Sequence, residues 1–243
     1  MLRYLWNVVV LTAATVFAAT LALVVMPVGL VHRPSLRVMT HLARMWSKMV
    51  VAGCGVKVEA EGFEHLEPGR AYVVLSNHTS YFDVLAIYAR VPRDLVPVAK
   101  RELGFIPIFG WALKAGAAIM IDRRDPERAR ASISRAGDTI RAGRSVLMFP
   151  EGTRSRSREL KPFKKGPFHL AQGAGVPILP VAVSGAADVL PVGDWRIRPG
   201  TIRVRMGAPI SPSEVGEGSP GRAALSDRVR GEIEGLLTDG DRP

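Results

Sequence analysis

Hydrophobic patterning changes twice along this chain. Residues 4–31 form an almost wholly apolar run of 28 positions without a charge. A helix needs about 20 apolar residues to cross the hydrocarbon core of a bilayer. The run is therefore long enough to span, with tilt or with a break at Pro27. Residues 35–52 then take up helical periodicity. Arg37, His41, Arg44 and Lys48 recur on one helical face, and Met39, Leu42, Trp46, Met49 and Val50 fall largely opposite. Such a helix suits a membrane interface, lying flat with its Trp at the boundary, and equally suits packing on a protein core. The two segments together read as a helical hairpin dipping into one leaflet, or as a span followed by an interfacial helix.

After Gly53-Cys54-Gly55 the pattern becomes that of a globular domain. Strands are predicted at 56–60, 71–75, 95–99, 117–121, 146–149, 177–183 and 201–206, several of them continuous apolar runs of the kind buried on both faces of a sheet. Helices are predicted at 81–90, 126–142, 166–173 and 220–237. Residues 211–222, rich in Ser, Pro, Gly and Glu, read as a surface loop. Alternating strands and helices define an α/β layer fold. The chain thus divides into membrane-anchoring helices at 1–52 and an α/β domain at 53–243.

Charge adds a direction to this picture. The formal net charge is +11 over 243 residues, which favours anionic partners such as phosphorylated substrates, an anionic membrane or nucleic acid. Residues 123–165 alone hold 13 Lys/Arg against 5 Asp/Glu. That block lacks the interleaved aromatics that stack single-stranded bases, so nucleic acid is not expected as a partner, although a non-enzymatic, membrane-anchored binder of anionic lipid or nucleic acid stays open as the alternative. Arg3 precedes the apolar run, and His32, Arg33, Arg37, Arg44 and Lys48 come after it. The positive-inside bias places the α/β domain on the cytoplasmic side of the cell membrane. A cleaved signal peptide competes, but the run continues well past the permissive Ala18-Ala19 region. Cys54 is the single cysteine. No internal disulfide or thiolate metal cluster can form, and with no His beside it Cys54 is a poor candidate nucleophile.

Candidate chemistry sits where predicted strands end. Ser76-Asn77-His78-Thr79-Ser80-Tyr81-Phe82-Asp83 comes after a buried strand and opens a helix. His is the side chain best suited to take a proton near neutral pH, and a carboxylate beside it fixes its tautomer. Five residues of unbroken helix would separate His78 from Asp83 by about 140°. The pair can meet only if His78 precedes the helix, Ser80 caps it and Asp83 lies in its first turn. Ser80-x-x-Asp83 is also a variant capping box, so the pair alone does not separate a cap from a catalytic dyad. Phe149-Pro150-Glu151-Gly152-Thr153-Arg154 leaves another strand end, where ligands bind in open α/β sheets. Gly152 allows close backbone approach, Thr153 offers a hydroxyl and Arg154 a two-pronged phosphate donor; a charged turn has the same composition. Arg123 is a second candidate phosphate ligand at a strand end. The apolar stretch 103–111 could line an acyl groove, lie on a membrane or pack in the core. No HExxH, GxSxG or P-loop pattern is present.

Taken in order, these blocks resemble the glycerolipid acyltransferase family, whose type members act on 1-acyl-glycerol 3-phosphate. The resemblance rests on Asn77-His78-x4-Asp83, Lys100-x-Glu102-Leu103, Gly116 to Asp122-Arg123, Phe149-Pro150-Glu151-Gly152-Thr153-Arg154-Ser155, Phe163-Lys164-x-Gly166-x-Phe168 and Val176-Pro177-Ile178-x-Pro180-Val181. It covers roughly residues 56–210. It implies a central mixed sheet flanked by helices, with His78 as general base and Asp83 orienting it. Asn77, Lys100, Arg123, Glu151, Gly152, Thr153 and Arg154 would serve the glycerol phosphate head. Glu151 cannot itself attract phosphate and is expected to hold an Arg or a hydroxyl in place. The implied reaction moves an acyl group from an acyl-carrier-protein or coenzyme A thioester to the sn-2 hydroxyl, with no metal, cofactor or acyl-enzyme. Glycerol 3-phosphate, another lysophospholipid or a lyso-ornithine lipid are alternative acceptors.

Overall fold

The computed structural model describes residues 2–31, 35–107, 109–122, 124–157, 159–216 and 218–237. Seven strands form one sheet in the order β1-β7-β6-β2-β5-β3-β4: β1 (Val56–Glu61), β2 (Val73–Ser76), β3 (Leu95–Lys100), β4 (Ile119–Ile121), β5 (Ser145–Met148), β6 (Ile178–Ser184) and β7 (Gly200–Met206). Neighbours are parallel except β6 and β7. The sheet is therefore mixed, as the resemblance implied. β2, β5 and β6 are buried along their whole length, which is why their sequences read as unbroken apolar runs.

Side-chain alternation divides the core into two layers. Tyr72, Val74, Leu147, Leu179 and Val183 face α3 (Tyr81–Arg90), whose Phe82, Leu85 and Ala86 pack on them. Val73, Leu75, Val146, Met148 and Ile178 face the other way. They meet Ala136 and Ile140 of α5 (Pro126–Arg141), Phe168 and Leu170 of α6 (Gly166–Ala174), and Leu225, Val229 and Ile233 of α8 (Gly218–Leu236). The predicted surface loop at 211–222 is shorter than expected. A 3-10 turn at Pro212–Glu214 occupies part of it, and α8 begins at Gly218. The short helices α4 (Phe109–Ala115) and α7 (Ala186–Val189) lack enough turns to show periodicity and were not predicted.

The N-terminal segments form α1 (Leu2–Val31) and α2 (Ser35–Gly53), packed against each other. Among the described residues no helix is long and apolar enough to cross a membrane. Both helices also join the domain. Ala14, Val50 and Val51 belong to the first core layer, and the Asn7 amide donates to the Ile197 carbonyl at 2.9 Å. α2 has Met39 and Val50 buried, Leu42 and Trp46 half-buried, and Met49 exposed, while Arg37, His41 and Lys48 are exposed. Arg44 departs from the expected basic face. Its guanidinium donates inward to the carbonyls of Tyr88, Val91 and Arg93. Beside it, buried Arg144 makes a two-pronged pair with Asp94 at 2.8 and 3.0 Å and donates to Thr40 of α2 at 3.1 Å. Polar anchors as well as apolar packing thus fix α2 to the domain.

Candidate active site

The connections after β2 and β5 leave the same end of the sheet to opposite faces: α3 joins the first core layer and α6 the second. Adjacent strands whose helices diverge open a crevice beyond their C-terminal ends. The His78 and Glu151 loops flank that crevice.

His78 lies outside α3, and Ser80 caps it. Ser80 has extended φ and ψ, its Oγ accepts from Phe82 N at 3.2 Å, and its own N–H donates to Asp83. Asp83 is fully buried in the first turn of the helix. Its Oδ2 lies 2.8 Å from His78 Nδ1 and accepts the N–H groups of Thr79 at 2.7 Å and Ser80 at 2.8 Å. The capping box and the dyad are one arrangement sharing one oxygen. The two backbone donors and the N-terminal end of the helix dipole offset the cost of burying this carboxylate. With a carboxylate at Nδ1, the imidazole proton resides there and Nε2 is the basic nitrogen.

The β5 loop supports the same histidine from two other directions. Phe149 stacks on the His78 ring, with centroids 3.9 Å apart and planes 19° from parallel. Glu151, also buried, accepts from His78 N at 2.8 Å through Oε1 and from Lys161 N at 3.2 Å through Oε2. Ser155 N donates to the His78 carbonyl at 2.7 Å. Burial pushes the Glu151 carboxyl above its ordinary range, against the opposing pull of those two N–H donors.

The other expected site residues fall into two groups. Arg154 stacks its guanidinium on the exposed Tyr81 ring, 3.7 Å from the centroid, and its carbonyl receives the Lys161 ammonium at 2.9 Å. Thr153 is exposed beside it. Gly152 has φ of 75°, a left-handed turn that a side chain disfavours. By contrast, the polar atoms of Asn77 are engaged within the fold. Its amide donates to Val183 O at 2.9 Å and its oxygen accepts from Val183 N at 2.8 Å, extending the β2–β6 ladder by a side chain. Glu151, expected to hold an Arg or a hydroxyl, is engaged instead by the backbone N–H groups of His78 and Lys161, which the packing of its loop brings to it. Lys100, half-exposed at the end of β3, pairs with Glu102 at 3.2 Å. Arg123 lies outside the described residues; before it, Asp122 pairs with Arg101 at 2.9 Å and accepts from Arg124 N at 3.1 Å. Cys54 is buried, and burial pushes its thiol up. Among the described residues no cluster of His, Cys, Asp or Glu is placed to hold a metal ion.

Sequence reasoning missed Phe149 as the stacking partner of His78, Tyr81 as the platform for Arg154, and Lys161. Both aromatics lie inside the motifs, but the contacts join residues 71 and 73 positions apart, and no local pattern reports them. Exposed aromatic side chains rim this end of the molecule. Tyr4 and Trp6 lie at the start of α1, where Trp6 Nε1 bonds Gly53 O at 2.8 Å. Tyr81 comes after β2, Phe105 and Trp111 come after β3, and Trp195 lies in the loop that leads into β7 beside the end of β6.

The acyltransferase family profile matches residues 57–184, more than half of the chain. The 1-acyl-sn-glycerol-3-phosphate acyltransferase alpha of Ovis aries is 38% identical over 177 residues, covering 72% of this chain and 61% of that relative. The 1-acyl-sn-glycerol-3-phosphate acyltransferase of Pseudomonas aeruginosa is 36% identical over 196 residues, covering 80% of this chain and 74% of its own length. The crystal structure of the 1-acyl-sn-glycerophosphate (LPA) acyltransferase PlsC from Thermotoga maritima superposes with a TM-score of 0.80 at 25% identity, covering 97% of this chain and 95% of that one. The chain belongs to the acyltransferase family, and it spans about three fifths of the length of the sheep relative.

Proposed function

We propose that this protein transfers a fatty acyl group from an acyl thioester to the sn-2 hydroxyl of 1-acyl-glycerol 3-phosphate, making phosphatidic acid. The observation that carries this reading is the buried Asp83 carboxylate 2.8 Å from His78 Nδ1, with the ring fixed by Phe149. Nε2 of His78 takes the proton of the acceptor hydroxyl as its oxygen bonds the thioester carbonyl carbon. The tetrahedral intermediate then expels the thiol sulfur, and the imidazolium returns the proton to that sulfur. The donor is an acyl-carrier-protein or coenzyme A thioester. No acyl-enzyme forms, because the acceptor oxygen is the nucleophile. The names of the related enzymes support this acceptor.

Arg154, with Thr153 and Gly152, is the acceptor phosphate site, with Arg123 and Lys100 as further cations. Asn77 and Glu151 act by holding the frame, since backbone groups already take their polar atoms. Catalysis occurs at the cytoplasmic face of the cell membrane, with α1 and α2 as the anchoring unit. The aromatic rim supports this placement, because Trp and Tyr favour the lipid–water boundary, and it lies at the same end of the sheet as His78.

The test is direct. Purified full-length protein, given 1-acyl-glycerol 3-phosphate and labelled acyl-coenzyme A or acyl-carrier protein, yields phosphatidic acid by mass spectrometry, and His78→Ala does not. Absence of phosphatidic acid with every thioester offered overturns the proposal.

A further inference from the structure

Beside the dyad, on the side of β6 and β7, the surface opens into a cavity of about 540 Å³. Thr79, one residue past His78, and Ser155, whose N–H holds the His78 carbonyl, are among its lining residues. Arg156, Arg198 and the Asp188 carboxylate line it too, and Val192 and Pro199 give it apolar surface. Arg154 and Tyr81, the pair at the acceptor phosphate site, do not line it. Arg198, Val192 and Pro199 come from the α7–β7 loop, which belongs to none of the motifs. The cavity borders a narrow crevice that shares Thr79, Ala187 and Asp188 with it and reaches Ser184. The Ser184 hydroxyl is buried there at 4% exposure and has no hydrogen-bond partner among the described residues. Buried hydroxyls are nearly always satisfied, so this one marks a polar position in the crevice, outside the cavity itself.

We infer that this cavity receives the phosphopantetheine arm that acyl-coenzyme A and acyl-carrier protein share. The inference rests on the acyl-transfer reading and adds to it a place for the donor. The volume falls in the range of small-molecule sites. The chemistry of the walls matches an arm that is neither wholly polar nor wholly apolar. Val192 and Pro199 suit its methyl-bearing segment, and the hydroxyls of Thr79 and Ser155 suit its amides. Guanidinium groups at Arg156 and Arg198 suit its phosphate, which they can grip with paired donors; Arg198 also holds Asp194 at 2.7 Å. Arg154 and Arg156 stand two residues apart on the loop after β5, Arg154 stacked on Tyr81 and Arg156 lining the cavity, where the α7–β7 loop brings Arg198. Two phosphate-bearing substrates could be held at once with the thioester and the hydroxyl meeting between them.

The experiment measures donor and acceptor KM separately for full-length wild type, Arg156→Ala and Arg198→Ala. Acyl-coenzyme A, acyl-carrier protein, S-acyl-4′-phosphopantetheine and S-acyl-pantetheine without the phosphate serve as donors. The expected result for each variant is a rise of about tenfold in KM for all three phosphate-bearing donors. S-acyl-pantetheine and the lysolipid should keep the wild-type KM within about twofold. Val192→Trp, which fills the cavity, should raise KM for all four donors. A rise in lysolipid KM with unchanged donor KM overturns the inference and makes the cavity an acceptor site. A loss confined to acyl-coenzyme A overturns the shared arm, and unchanged kinetics in all variants overturn the site itself. Those failures are distinct from failure of the acyl-transfer reading, in which wild type makes no phosphatidic acid from any donor.

Discussion

The loops after β2 and β5 each bury a carboxylate against His78, by different means. Asp83, on the β2 side, touches the imidazole nitrogen and gathers the N–H groups of its own helix start. Glu151, on the β5 side, touches only the His78 main chain and ties it to Lys161. One carboxylate acts on the ring that moves a proton, and the other acts on where that ring is held. Their surroundings differ accordingly. Asp83 has three donors on one oxygen, whereas Glu151 spreads two backbone donors over two oxygens, and burial prevails in raising its carboxyl. A carboxylate near a histidine is therefore not by itself a catalytic partner; the atom it contacts decides.

This contrast can be broken by substitution. His78→Ala should reduce kcat by about 10⁴-fold with the fold intact by circular dichroism; retention of more than a few per cent of activity ends the general-base role. Asp83→Asn should cost about 10³-fold in kcat, because an amide cannot stabilise the imidazolium and disturbs the tautomer. It should also lower thermal stability through the cap, by about 1 kcal/mol. Glu151→Gln should lower kcat about thirtyfold with lysolipid KM unchanged, since one amide end would oppose a backbone N–H. If lysolipid KM rises instead, Glu151 faces substrate and the contrast collapses. Arg154→Ala should raise lysolipid KM about tenfold and leave donor KM alone. An unchanged lysolipid KM would remove Arg154 from the head-group site.

The smallest effect concerns pH. The folded Glu151 carboxyl titrates above its ordinary value of 4.5. The native state therefore holds this proton more tightly than the unfolded chain does. The associated stability is present below pH 4.5 and is lost as pH rises through the raised value. Thermal midpoints of wild type minus Glu151→Gln should fall as pH rises above 4.5 through the raised value. A difference that rises with pH would show that the backbone donors prevail over burial.

The sheet and its flanking helices were legible because buried parallel strands leave continuous apolar runs, as at 146–149 and 177–183. The cap–dyad geometry was legible too, because the spacing from His78 to Asp83 allows contact only if the helix starts between them. What sequence could not supply were the cross-connections. Asn77 and Glu151 look like ligand residues in a motif, yet their partners are the backbone of Val183, His78 and Lys161. Those partners are brought close only by the finished sheet. Arg44 looked like part of a solvent-facing basic stripe, and only the packing of α2 on α3 turns it inward to carbonyl groups. The family motifs therefore mark which residues matter more reliably than what each one touches.

The single oxygen at the start of α3 has a further consequence. Active-site groups are commonly traded against stability, so variants chosen for robustness tend to lose activity. At Asp83 the two demands coincide, because the same atom that steers the histidine also starts the helix. A library sorted only for heat resistance, with no assay of turnover, should retain aspartate at position 83 while letting the exposed Thr153 drift. That drift would expose which parts of the motif answer to chemistry alone.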